Sequence, residues 1–135
     1  MSLPSPALLD TSVVIDLDRI PASQLPDEVA ICAITLAELA AGPHATDDEA
    51  ERSRRQDRLQ RIEALLDPLP FDADAARAYG RVYSATRAAS RKPRGARAVD
   101  LMIAAVALSR SLPLITRNPD DFAHLTGIGM VVRAI

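Results

Sequence analysis

Tryptophan is missing from this chain of 135 residues, and two Tyr and two Phe are its only aromatics, an aromatic content of 3%. So small a supply argues against a base-stacking platform of the kind that reads single-stranded RNA. Cysteine is nearly absent as well. The lone Cys32 excludes an internal disulfide and a cysteine-built zinc cluster, as expected of a protein kept in a reducing cytoplasm. No apolar run approaches the ~20 residues of a membrane span. The start of the chain lacks the basic-then-apolar order of a signal peptide. What is present suits a soluble globular protein. A hydrophobic content of 48% with 25% charged residues argues against disorder, and the length fits one domain, residues 1–135, with a core of its own.

The formal net charge is −2, but the signs are segregated. Between Arg77 and Arg117 lie nine basic residues and one acid, Asp100; the other seven basic residues share the chain with seventeen acids. A near-neutral protein of this kind still presents a basic face to a polyanion, and all but one of the nine cations are arginines, whose planar fork suits phosphate.

Short apolar runs alternate with longer helical ones. Ala7–Leu9 reads as a strand, Ser12–Leu17 as helix, Val29–Ile34 as a second strand and Thr35–Ala41 as a helix closed by Gly42-Pro43. Helices follow over 46–66, 72–90 and 98–109, with a basic loop at Arg91–Gly95. Strands over 112–116 and 129–132 complete the chain. Strands alternating with helices predict an α/β three-layer α/β/α sandwich with a mainly parallel, short-stranded sheet. In such sheets ligands bind beyond the carboxyl ends of the strands.

The acids cluster in that region. Asp10 follows the first strand, Glu38 lies one turn into the helix after the second, Asp100 begins an apolar helix, and Asn118, Asp120 and Asp121 follow the strand ending at Thr116. Crowded carboxylates repel one another unless a cation is present, and oxygen donors without His or Cys suit Mg²⁺ or Mn²⁺ rather than zinc. Each acid also has a plainer use. Asp10 reads as a helix N-cap, Glu38 as the capping-box partner of Thr35, Asp100 as a complement to a helix dipole, and Asp120 and Asp121 as turn residues. His44 and His124 stand alone and read as exposed, and Cys32 as an inert buried thiol. The coincidence of the acids at one edge outweighs the separate plain readings.

Four blocks in order, Leu8-Leu9-Asp10-Thr11-Ser12, Ile34-Thr35-Leu36-Ala37-Glu38-Leu39, Asp100-Leu101-Met102-Ile103-Ala104-Ala105 and Thr116-Arg117-Asn118-Pro119-Asp120-Asp121-Phe122, resemble a PIN-domain ribonuclease. Within that family the pattern is similar to a VapC-type toxin of a bacterial type II toxin–antitoxin pair, over nearly the whole chain. The resemblance implies an endoribonuclease dependent on Mg²⁺ or Mn²⁺, with Asp10 and Asp100 as metal ligands and Glu38 completing the set. It puts Asn118 where many members carry Asp, with Asp121, or less readily Asp120, able to supply the missing charge. Thr11, Ser12 and Thr116 match small hydroxyl positions beside the acids. Arg94, Arg97 and Arg117 flank the acidic blocks and could hold the RNA backbone. A homodimer and a cognate antitoxin are implied as well.

Two other enzyme classes fit the residues less well. A phosphoaspartate phosphatase needs a second Asp where Ser12 stands, and a phosphoacceptor receiver needs paired acids and a late lysine, whereas the only lysine is Lys92 in a loop. A PIN-like domain that binds RNA or a protein without cutting is favoured by Asn118 alone.

Overall fold

β1 (Ala7–Leu9) is wholly buried and lies inside the sheet, between β2 (Val29–Ala30) and β3 (Leu114–Thr116), with β4 (Val132–Ala134) beyond β3. The computed structural model describes residues 3–135. All three pairings are parallel, with Leu8 opposite Ala30 on one side and Leu114 on the other. Parallel neighbours need crossovers, and helices supply them. α1 (Thr11–Ile15) follows β1. α2 (Ala33–Ala41), α3 (Glu49–Leu65), α4 (Ala73–Ala88) and α5 (Ala96–Ser109) separate β2 from β3.

The pleat assigns the two faces. Leu8 and Leu114 point into one core with Ala75, Val82, Leu101, Ala104, Phe122 and Leu125. Ala7, Leu9 and Ile115 point into the other, with Val13, Val14, Ile31, Leu39 and Ile62. The result is the three-layer α/β/α sandwich expected from the alternation, and its sheet is parallel throughout.

Several boundaries differ from the periodicity. The apolar run Val29–Ile34 is not one strand. After Ala30 the chain leaves β1, Ile31 accepts from the Leu69 amide, Ala33 donates to the Leu69 carbonyl, and α2 begins at Ala33. Gly42 does not close α2 in the left-handed region; its φ is −50° and the chain continues into a 3₁₀ turn over Gly42–Ala45. α3 starts at Glu49 because the Asp48 carboxylate accepts from the Glu51 amide, and Asp72 caps α4 in the same way through Ala75. The last strand falls three residues later than the 129–132 run, because a 3₁₀ stretch over Ala123–Ile128 ends at left-handed Gly129 and sends Met130 into the core.

α4 and α5 end alike. The amides of Arg91 and Ser90 return to the carbonyls of Thr86 and Arg87, and those of Leu112 and Ser111 to Ala107 and Leu108. This is the Schellman pattern, with Ser90 (φ 60°) and Ser111 (φ 55°) in the left-handed position that glycine ordinarily fills. Ser90→Gly and Ser111→Gly are each expected to raise stability by about 0.5–1 kcal/mol, since the Cβ penalty outweighs the added backbone entropy of glycine. Urea denaturation checks this, and a lower midpoint for either variant would contradict it.

Candidate active site

Asp10 is the first residue past β1, and its amide donates to the Ile115 carbonyl, so the sheet itself fixes its position. It occupies the N-cap position of α1 without capping it. Its carboxylate faces β3 instead: Oδ2 accepts from Ser12 Oγ at 2.7 Å and from Thr116 Oγ1 at 2.9 Å. Those hydroxyls accept in turn from the Arg117 and Asn118 amides at 3.1 and 3.0 Å. Asp10 is only 4% exposed, and its Oδ1 is buried with no partner. An unpaired carboxylate oxygen in such a place is costly unless a cation meets it.

Glu38 is held from the other side. α2 starts at Ala33, so Thr35 lies inside the helix and the capping-box reading of Thr35 and Glu38 does not hold. Thr11 Oγ1 donates to Glu38 Oε1 at 2.7 Å, and with its proton committed there it accepts from Thr35 Oγ1 at 2.9 Å. Thr35 is fully buried and is the site residue the sequence pattern concealed; its signal was only the three-residue spacing to Glu38 that also marks a cap.

Asp100 lies in the second turn of α5, beyond the first-turn positions where a helix dipole acts most strongly. Burial, then the charges of Asp10, Asp121 and Glu38, push its carboxyl up to about 6, while Arg97 one turn earlier pulls it down. Acids from three other blocks are therefore within electrostatic reach of Asp100. Among the described residues no three acidic, His or Cys side chains yet converge as a ligand cluster. The donor set nevertheless suits a hard divalent ion, with carboxylate and hydroxyl oxygens and one orphaned oxygen on Asp10.

The residues after β3 divide. Asn118 is exposed; its amide donates to Thr116 Oγ1 and its carbonyl accepts from the Asp121 amide at 3.1 Å. Asp121 ends the 3₁₀ turn Pro119–Asp121 half-buried and bears on Asp100; Asp120 is exposed. Of the arginines, Arg117 pairs with Asp16 at 3.1 Å and Arg94 is exposed. Arg97 is half-buried, with Nη1 buried and unpartnered. His124 departs from the exposed position read in the sequence. It is half-buried, and because Thr86 Oγ1 donates to the Val82 carbonyl, His124 Nε2 donates to Thr86 at 2.9 Å. Burial, then Arg91 and Arg97, hold its imidazole below the ordinary range. Burial likewise pushes the Cys32 thiol up, as befits an unreactive group.

A short parallel sheet between helical layers, with acids at its carboxyl edge, is the architecture of the PIN domain. Residues 7–128 match the PIN-domain family model, and the chain belongs to that family. Over 131 residues it is 40% identical to Ribonuclease VapC5 of Mycobacterium tuberculosis, covering 95% of this chain and 93% of that one. It is 30% identical over 123 residues to Ribonuclease VapC of Rickettsia bellii, covering 87% and 89% respectively. A chain in the crystal structure of VapBC-5 from M. tuberculosis, a member of the VapBC family of toxin–antitoxin systems, superposes with a TM-score of 0.78 at 39% identity over 98% of both chains.

Proposed function

We infer that this protein is an endoribonuclease, the toxin of a VapBC-type toxin–antitoxin pair, which hydrolyses RNA phosphodiester bonds. One observation carries the reading. Two buried polar atoms flank Asp100 without partners, a carboxylate oxygen of Asp10 and a guanidinium nitrogen of Arg97. Such a site lacks one cation and one anion, the two charges that a divalent metal and a phosphodiester bring together.

Asp10, Asp100 and Glu38 are the residues that would hold Mg²⁺ or Mn²⁺, with Asp121 supplying the fourth carboxylate in place of Asn118. When bound, the ion lowers the pKa of its water and offsets the charge gathering on the phosphorus oxygens. The chain's own hydroxyls do the positioning. Ser12 and Thr116 donate to one oxygen of Asp10 and leave the other free, and Thr35, through Thr11, orients Glu38. Arg97 would neutralise charge beside Asp100, and Arg94 and Arg117, the latter on release from Asp16, would take backbone phosphates, which give affinity without sequence choice. Asp121's influence on Asp100 supports cutting over the non-cutting alternative, whose motive was Asn118.

The VapC relatives and the VapBC structure support a cognate antitoxin as partner, and we extend the proposal to a homodimer working in the cytoplasm. Among the described residues no helix is long and apolar enough to cross a membrane. Total bacterial RNA incubated with the purified protein and Mn²⁺ or Mg²⁺ should be cut, and EDTA should stop the cutting. Cleavage that survives EDTA, or none with either ion, would refute the assignment.

A further inference from the structure

The side of the Arg91–Gly95 loop that faces α4 takes no part in the acidic site. There Tyr83, Arg87, Arg91, Lys92, Pro93 and Arg94 enclose a hollow of about 380 Å³. Four cations and no acid line it. Among the described residues none of the four makes an ion pair, whereas six arginines elsewhere in the chain each pair with a carboxylate. Like charges gathered around one hollow repel one another until an anion enters. The arrangement is fixed by backbone: left-handed Ser90 turns the chain at the end of α4, and the Arg91 amide is tied to the Thr86 carbonyl at 3.0 Å.

The same hollow holds the one aromatic ring that is exposed among the described residues. Tyr83 is 41% exposed, and Tyr79 braces it from one turn earlier, with ring centroids 6.1 Å apart and planes tilted by 55°. The low aromatic content of the sequence argued against a stacking platform, yet the single ring left open stands among unpaired guanidiniums. An aromatic face beside arginine forks is the combination that holds single-stranded nucleic acid. An acidic peptide would satisfy the charges and leave the ring face unused. Arg91, which lines the hollow, and Arg97, one turn before Asp100 on α5, both act electrostatically on His124.

We propose that this hollow is a second RNA subsite, which grips a single-stranded segment of the substrate away from the bond that is cut. One base lies on Tyr83, and the flanking phosphates lie on Arg87, Arg91 and Arg94. The proposal rests on the ribonuclease reading above. It gives the enzyme a way to choose among RNAs by what lies beside the cleavage point.

Affinity for a labelled oligoadenylate of about 16 nucleotides, measured in EDTA, tests it with the parent, Tyr83→Ala, Tyr83→Phe and the double variant Arg87→Ala/Arg91→Ala. Tyr83 and Arg87 are exposed and Arg91 is half-buried without an ion pair, so melting temperatures should stay close to the parent value. Tyr83→Ala should weaken binding about five- to a hundredfold, and Tyr83→Phe should restore it. The double variant should weaken binding about tenfold and flatten the log–log salt dependence by about 1.4. On total bacterial RNA with Mn²⁺ the variants should raise KM and leave kcat in place. Parent-like affinity in both alanine variants, a loss confined to kcat, or a change in oligomeric state or antitoxin binding with RNA affinity intact would overturn the subsite. A parent that cuts no RNA at all would instead overturn the ribonuclease reading on which it stands.

Discussion

Asp100→Asn should abolish RNA cleavage and, in the same molecule, raise the melting temperature of the metal-free protein. The loss of rate should be about a thousandfold, the scale expected when a residue that would hold the charge-offsetting ion is removed. The gain in stability follows from the proton balance. Burial, followed by Asp10, Asp121 and Glu38, lifts the Asp100 carboxyl from an ordinary value of 3.8 to about 6. Between those two values the folded chain binds more protons than the unfolded one, so stability is greatest at the acid end of this window. It falls as the pH rises through 6, and the full penalty persists at neutral pH. Discounted for solvent screening of a half-buried group, the penalty is about 1–2 kcal/mol, or about 3–8 °C in Tm for a chain of this size. Asp100→Asn removes it and should flatten the stability curve between pH 4 and 6. Asp10→Asn should also abolish cleavage without the gain in Tm, because its amide would bury an unpartnered N–H₂ where Oδ1 now stands. Calorimetric scans from pH 4 to 8 beside a cleavage assay check both variants. Near-parent cleavage by either, or a Tm for Asp100→Asn below the parent at pH 7, would contradict the site.

Asp121→Asn should weaken Mn²⁺ binding about tenfold or more, an effect larger than that of any change at Asn118. The asymmetry is geometric. The 3₁₀ turn after Pro119 brings Asp121 back half-buried beside Asp100, whereas Asn118 is exposed with its amide pinned to Thr116. With Asp10, Glu38, Asp100 and Asp121 present, four negative charges are available. Asn118→Asp adds a fifth and should tighten binding modestly and admit a second ion. Titration of Mn²⁺ into parent and variants by calorimetry separates the roles. Unchanged affinity in Asp121→Asn would return the fourth position to Asn118 or leave it empty.

The fold was legible because its signal is collective: buried parallel strands and amphipathic crossovers imprint two periods on the chain. The boundaries were not, because they turn on single hydrogen bonds. Ile31 and Ala33 look like strand residues, and only their exchange with Leu69 ends β2 at Ala30. Glu38 could be placed at the sheet edge from sequence, but a capping box and a Thr-supported carboxylate share the same Thr-x-x-Glu spacing. The start of α2 at Ala33 decides between them. The choice between Asn118 and Asp121 likewise depends on how a Pro-initiated turn curls, which residue types leave open. Tyr83 was hidden for another reason: a composition of 3% aromatics says how many rings exist and nothing about where one stands.

The position of β1 inside the sheet has a consequence for synthesis. Its Leu8 and Leu9 pair with Leu114 and Ile115, and Asp10 takes one of its two hydroxyl contacts from Thr116, 106 residues away. A nascent chain that stops before Leu114 can hold Asp10, Glu38 and Asp100 in sequence, yet it has neither the β3 ladder nor the Thr116 hydroxyl that orients Asp10. Contacts this distant in sequence close late in folding. A ribosome making this protein is therefore expected to be exposed to an active nuclease only after the segment through Thr116 has emerged.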